Sequence, residues 1–234
     1  MSTAVSADSF FVGIGAQKAA TSWLADYLDG HPQVGFSPIK ELHYFDAVYC
    51  PKFCGNYHRD MRSRLAKLAS DIPSKPSEKW YRKLNTYGLR VRMMEKPEVY
   101  REYFERLRRP EHRTVGEITP SYSMMDARGF AAIKTMMPSA KFIFILRDPL
   151  TRYMSQVRFR ESQLPESGFR ASEEVLQHIY DRQYDLRTDY GRTLDELEQV
   201  APNGDICVVF YEHLMSPQDD GSELRRITDF LDID

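Results

Sequence analysis

The stretch Gly13-Ile14-Gly15-Ala16-Gln17-Lys18-Ala19-Ala20-Thr21-Ser22 sets small residues, one lysine and two hydroxyls between an apolar run and a helical pattern. Small side chains let backbone N–H groups approach an anion closely. A helix start adds unpaired N–H groups and the positive end of a dipole. Lys18 brings a full charge, and Thr21 and Ser22 bring further donors. Residues Gln17, Lys18, Ala19, Ala20, Thr21 and Ser22 therefore suit one terminal phosphate or sulfate group. The plainer alternative is a helix start with an exposed lysine. The spelling is not the G-x-x-x-x-G-K-[ST] of nucleoside triphosphate sites. Ala19 stands where that motif places its magnesium-binding hydroxyl.

A second constellation lies in KFIFILRDPLTRYMSQ, residues 141–156. Arg147 closes an apolar run, the kind of place where α/β ligand sites gather. Ser155 comes about two helical turns later, and Arg152 shares a helix face with it at i, i+3. Guanidinium and hydroxyl together make a second anion pocket; the alternative is that Arg147 pairs with Asp148 or a neighbouring acid. Two such pockets fit a ligand with phosphates at two separate places. Asp148, held against Pro149, is awkward as a magnesium ligand, so the pattern points to two anions and no metal. A metal-dependent nucleotide kinase and a non-catalytic nucleotide-binding relative are the rival readings.

Apolar periodicity locates the elements that must carry these groups. Short apolar runs predict strands at 10–14, 33–36, 113–118, 141–146 and 205–210. Helical patterns predict helices over 20–28, 149–162, 171–182, 190–200 and 221–231. Strands alternating with helices give an α/β class: a central parallel sheet of about five strands flanked by helices. Residues 56–110 differ, being rich in Arg and Lys, including Arg59, Arg62, Arg64, Lys67, Arg82 and Arg90. That stretch reads as a largely helical insertion lying over the site, either to meet an anionic substrate or as a solvated face.

Length and charge narrow the rest. The 234 residues suit a single domain spanning 1–234, and 32 basic against 34 acidic residues leave a net charge of −2. Bulk electrostatics give no case for nucleic acid or an anionic membrane. The apolar runs are too short to span a bilayer, and the first residues lack a secretory pattern, so a cytoplasmic protein is expected. Three cysteines make no disulfide framework; Cys50 and Cys54 read as reduced thiols, with metal ligation alongside His43 or His58 the alternative. Nothing here fixes an oligomeric state.

GAQKAATSWLADYLDGHPQV, KELHYFD, GEITPSY, FIFILRDPLTRYMSQ and ITDFLDI, taken in order, resemble the sulfotransferases that use 3′-phosphoadenosine 5′-phosphosulfate (PAPS). The likeness is greatest to the branch with the heparan sulfate enzymes and their bacterial relatives. It implies a P-loop-nucleotide-hydrolase-like sulfotransferase fold. It also implies transfer of a sulfuryl group to a hydroxyl or amine of a saccharide or other small molecule, with adenosine 3′,5′-bisphosphate (PAP) released. By that resemblance Lys18 meets the bridging oxygen and Thr21 and Ser22 the 5′-phosphate, while Arg147 and Ser155 bind the 3′-phosphate. No metal is needed. Glu41 matches the family's catalytic base and His43 is its rival, with Lys40 tuning the carboxylate; Glu117 and Tyr122 match a segment lining the acceptor cleft, the alternative for Glu117 being a buried partner of Lys18 or Arg147. The family carries glycine where Ala20 stands, and continues past a point matching Asp234 with a segment that closes on the 3′-phosphate, so by the resemblance either the domain's C-terminal end lies beyond this sequence or the donor site is less enclosed.

Overall fold

A computed structural model of the chain describes residues 9–162, 182–218 and 220–234. Five strands form one sheet: β1 (Phe10–Gly15), β2 (Val34–Phe36), β3 (Thr114–Ile118), β4 (Ala140–Leu146) and β5 (Ile206–Phe210). Their order is β2-β3-β1-β4-β5, and every pairing is parallel. The class and strand number agree with expectation. Every residue of β1 is buried, as an apolar run between two neighbours and two helical layers should be.

Strand order sets the position of the site. From β1 the chain steps outward to edge strand β2, returns to β3, then crosses β1 to reach β4 and β5. The direction of winding therefore reverses between β1 and β4, and ligands of open α/β sheets bind beyond the carboxyl ends at such a reversal. Helix α1 (Thr21–Asp29) leaves the end of β1 here. Between β2 and β3 run α2 (Phe45–Tyr49), α3 (Pro51–Cys54), α4 (Asn56–Ser70), α5 (Glu78–Met93) and α6 (Glu98–Leu107). A 3₁₀ turn (Pro120–Met124) and α7 (Ala127–Met136) join β3 to β4, and α8 (Pro149–Glu161) comes after β4. The remaining helices are α9 (Arg182–Thr188), α10 (Tyr190–Glu198), α11 (Tyr211–Leu214) and α12 (Ser222–Leu231).

The helical insertion expected over 56–110 is present as α4, α5 and α6. Helix α6 sits against the sheet through aromatics: the rings of Phe104 and Phe10 meet edge to face at 4.8 Å. In α4 only Met61 is buried, and Arg59, Arg62, Arg64 and Lys67 are exposed, so the basic run there is a solvated face. The helix predicted over 171–182 lies outside the described residues, apart from Arg182 at the start of α9. Other boundaries differ from expectation by one or two residues.

Gly116 shows how tightly the sheet is backed. A Cβ there would collide with the Phe11 carbonyl oxygen and stand 2.6 Å from the Phe11 ring. Gly116→Ala should therefore destabilise the fold by about 1–3 kcal/mol. Urea denaturation will read this as a lower midpoint with an unchanged slope; an unmoved midpoint would contradict the packing.

Candidate functional site

Past β1 the chain turns out of the sheet through Gly15, with φ 152°, where an added Cβ would press on the Pro120 carbonyl oxygen at 3.1 Å and the Phe144 ring at 3.2 Å. Lys18 (φ 68°) and Ala20 (φ 57°) are left-handed, a region that costs non-glycine residues energy. Ala20 is the N-cap of α1 and supplies no side-chain cap, and the first turn holds no acid. The opening N–H groups of α1 thus face no competing carboxylate, the condition an anion needs. The left-handed φ at Ala20 also explains why glycine is the easier residue at this position.

A cleft of about 460 Å³ opens here. Its walls include Gln17, Lys18, Ala20, Thr21, Ser22, Lys40, Glu41, Arg147 and Ser155, so both predicted anion pockets and the predicted base share one space. Ala19 is not among them: it is fully buried, and its N–H is spent on the Ala16 carbonyl at 3.2 Å. Arg147 Nη1 donates to the Lys18 carbonyl at 2.7 Å, its guanidinium lies 4.1 Å from the centre of the Tyr211 ring, and its Nε is buried without a partner. Asp148 does not pair with it; one Asp148 oxygen accepts from the Thr151 N–H at 2.8 Å and caps α8. Arg152 also departs from expectation. It is fully buried and donates to Thr188, because its flank of α8 turns toward α9 rather than the cleft. Lys18 Nζ stands 4.0 Å from the centre of the Phe159 ring. Partial burial lowers its pKa, and the charges of Lys40 and Arg147 lower it further against the opposing pull of Glu41.

Across the cleft a polar chain runs inward from the surface. Lys40 Nζ bridges Ser22 Oγ at 3.0 Å and Glu41 Oε1 at 2.8 Å. The other Glu41 oxygen stands 3.4 Å from His43 Nε2, and His43 Nδ1 meets Asp46 Oδ2 at 2.7 Å. Ser121 donates to the same Asp46 oxygen. The Tyr57 ring lies flat on His43, 3.5 Å between centres. Glu41 is 36% exposed and lines the cleft, whereas His43 is buried behind it. Burial pushes the Glu41 pKa up, but hydrogen bonds from His43 and Lys40 and their charges win and hold it near about 2. Burial likewise opposes charge on His43, yet its bonds to Asp46 and Glu41 raise its pKa overall.

Glu41 (φ 65°) and His43 (φ 52°) are both left-handed, at a cost of about 1–3 kcal/mol each. Neighbouring bonds hold them there. Glu41 N–H donates to the Ile118 carbonyl at 3.0 Å, Tyr44 N–H to the Tyr122 hydroxyl at 3.2 Å, and Arg90 of α5 to the carbonyls of Leu42 and His43.

Further expectations need correction. Glu117 and Tyr122 do not line the cleft: both are fully buried, and Glu117 accepts from Thr119, Tyr100 and Tyr122 at 2.6, 2.6 and 3.0 Å. Burial raises the Glu117 pKa, and neither Lys18 nor Arg147 is its partner. No described residue of the insertion 56–110 lines the cleft; it packs behind the Lys40–Tyr44 segment instead. The residues not anticipated are Asp46, Ser121, Tyr57 and Arg90. Asp46 had a local signal, three residues after His43 in KELHYFD; Arg90 had none. Cys50 and Cys54 are buried free thiols, and among the described residues no three His, Cys, Asp or Glu side chains stand together as a metal site.

A family model described as the sulfotransferase family matches residues 10–234. A membrane-associated sulfotransferase, kil1 of Dictyostelium discoideum, is 25% identical over 177 residues, which cover 75% of this chain and only 28% of that relative. Among this chain's described residues no helix is long and apolar enough to cross a membrane. Solved structures show the same fold. A sulfotransferase from Alicyclobacillus acidocaldarius superposes with a TM-score of 0.62 at 22% identity, over 96% of this chain and 81% of that one. The sulfotransferase domain of the Synechococcus PCC 7002 olefin synthase gives 0.56 at 17% identity, over 97% and 73%. The family match spans the sheet, the loop after β1 and the segment carrying Arg147, and the chain belongs to the sulfotransferase family.

Proposed function

We propose that this cleft binds 3′-phosphoadenosine 5′-phosphosulfate as donor and passes its sulfuryl group to a hydroxyl or amine of a saccharide or other small acceptor. The observation that carries the reading is the meeting of Lys18, Thr21 and Ser22 with Arg147 and Ser155 in one cleft. The donor set fits such a ligand. Open N–H groups at the start of α1 suit the 5′ end, and the buried, unpartnered Arg147 Nε suits a second phosphate.

In this mechanism the acceptor attacks sulfur in line. A new bond to sulfur forms as the bond between sulfur and the bridging oxygen breaks, and the acceptor proton passes to Glu41. Charge grows on that oxygen as adenosine 3′,5′-bisphosphate leaves, and Lys18 with the N-terminus of α1 meets it. His43, Asp46 and Ser121 orient Glu41 from behind. Free Glu41 is a weak base, since Lys40 and His43 hold its pKa near about 2. Lys40 also touches Ser22, in the donor loop. A donor anion bound there competes for the ammonium and returns basicity to Glu41 at the moment it is needed.

Three outcomes test this. Adenosine 3′,5′-bisphosphate should bind in the presence of EDTA, measured by calorimetry; binding of ATP with magnesium alone would overturn the reading. Lys18→Ala should lower transfer by about 10²-fold or more while its bisphosphate affinity changes far less. Arg147→Ala should instead weaken that affinity about tenfold or more, ~1.4 kcal/mol.

His43 adds a pH signature. Its folded pKa is raised above the ordinary 6.5, so the stability it contributes is full below that value and fades as pH rises through the folded pKa. The melting temperature of the wild type should therefore exceed that of His43→Gln by more at acidic than at alkaline pH. A difference that grows with pH would show that the imidazole is held neutral.

A further inference from the structure

The basic residues of the insertion fall into two sets. Those of α4 are exposed and face solvent. Arg90 of α5 is fully buried. Its Nε donates to the Leu42 carbonyl and its Nη2 to the His43 carbonyl. Among the described residues no carboxylate forms an ion pair with it, and its Nη1 has no partner. Burial lowers its pKa, against the raising influence of Tyr122, Asp46 and Glu117. A buried guanidinium is a poor choice for stability alone, because an apolar side chain of similar volume fills space without desolvating a charge.

The two carbonyls explain the choice. They belong to the peptide planes on either side of the His43 Cα. Gripping both planes at once fixes φ and ψ of His43, which is left-handed at φ 52°. A planar fork of donors holds two successive carbonyls in fixed directions, whereas the three donors of an ammonium swivel about a single nitrogen. With the backbone so set, the His43 imidazole reaches Asp46 through one nitrogen and Glu41 through the other. Two more contacts from the insertion brace this segment and the turn that leads into it. The Tyr57 ring stacks on His43, and the Tyr103 hydroxyl lies 2.9 Å from Ser37 Oγ.

We propose that Arg90 is the positioning residue for the Glu41–His43 pair, and that the α4–α6 insertion serves as the brace of the proton-accepting segment rather than as a wall of the cleft. The proposal rests on the reading of Glu41 as the proton acceptor. Arg90 touches neither donor nor acceptor and acts through the backbone of His43.

The test is a double-mutant cycle on the full chain, with Arg90→Lys, Glu41→Gln and both together, read as kcat and as affinity for adenosine 3′,5′-bisphosphate. Arg90→Gln, which keeps one donor and removes the charge, is measured in parallel should the lysine variant fold poorly. Arg90→Lys is expected to lower kcat by about tenfold or more while bisphosphate affinity stays within about threefold. In the Glu41→Gln background the same change should cost less than about threefold, because the group it positions is already disabled. The His43 imidazole, followed by NMR, should titrate at lower pH in the Arg90 variants as its contacts to Asp46 and Glu41 loosen. Equal losses in both backgrounds, or an unchanged kcat and His43 titration, would overturn the role of Arg90 while leaving Glu41 as base. Full turnover in Glu41→Gln alone would remove the reading of Glu41 and the proposal with it.

Discussion

Lys18, Lys40 and Arg147 reach one cleft from three segments of the chain, and Glu41 is the carboxylate that lines it with them. Like charges at this range repel, and burial first and that repulsion second lower the Lys18 pKa. Of the three, Lys40 has Glu41 as an ion-pair partner, whereas Lys18 rests on an aromatic ring and Arg147 on a backbone carbonyl and another ring. Among the described residues such an arrangement is a standing excess of positive charge in a partly enclosed space. It is tolerable because the sheet, not the charges, determines where these residues go: strand β1 delivers Lys18 and strand β4 delivers Arg147 to the same edge. An anionic ligand relieves the excess.

Much of this edge is legible in the sequence, because its determinants are local. Continuous apolar runs announce the buried strands, and the residues just past each run must stand at a carboxyl end. Lys18 and Arg147 are therefore placed in one cleft although 129 positions separate them. Local pattern fails where two neighbours split between layers. Arg152 and Ser155 sit one turn apart on α8, yet the first is buried against α9 and the second opens to the cleft. Ala19 and Ala20 are adjacent and alike, and only the left-handed turn at Ala20 sends one inward and the other to the surface.

The Glu41 side is much less legible, and the reason is sequence distance. Glu117 reads as a polar residue ending a strand, hence as a site residue. Its burial depends on Tyr100 of α6 and on Tyr122, whose hydroxyls satisfy it inside the core. The density of Arg and Lys in the insertion likewise reads as a binding surface, but the sequence cannot say which helical face turns outward. Arg90 stands 48 and 47 residues from the carbonyls it holds, with three helices between. No spacing rule spans such a gap.

This contrast divides the site into halves with different physics. The half carrying Lys18 and Arg147 hangs from the ends of two paired parallel strands, and although Lys18 and Ala20 are left-handed there, the bond from Arg147 to the Lys18 carbonyl ties the loop directly to β4. The half carrying Glu41 is an irregular segment with two residues in a disfavoured region of backbone space. Such strain persists only where the surroundings over-determine it. The bonds to Ile118 and Tyr122 and from Arg90 do so, and none of these three residues lines the cleft. Glu41 is therefore only as well placed as the helices behind it, and a change deep in the insertion would reach its carboxylate through backbone angles rather than through contact.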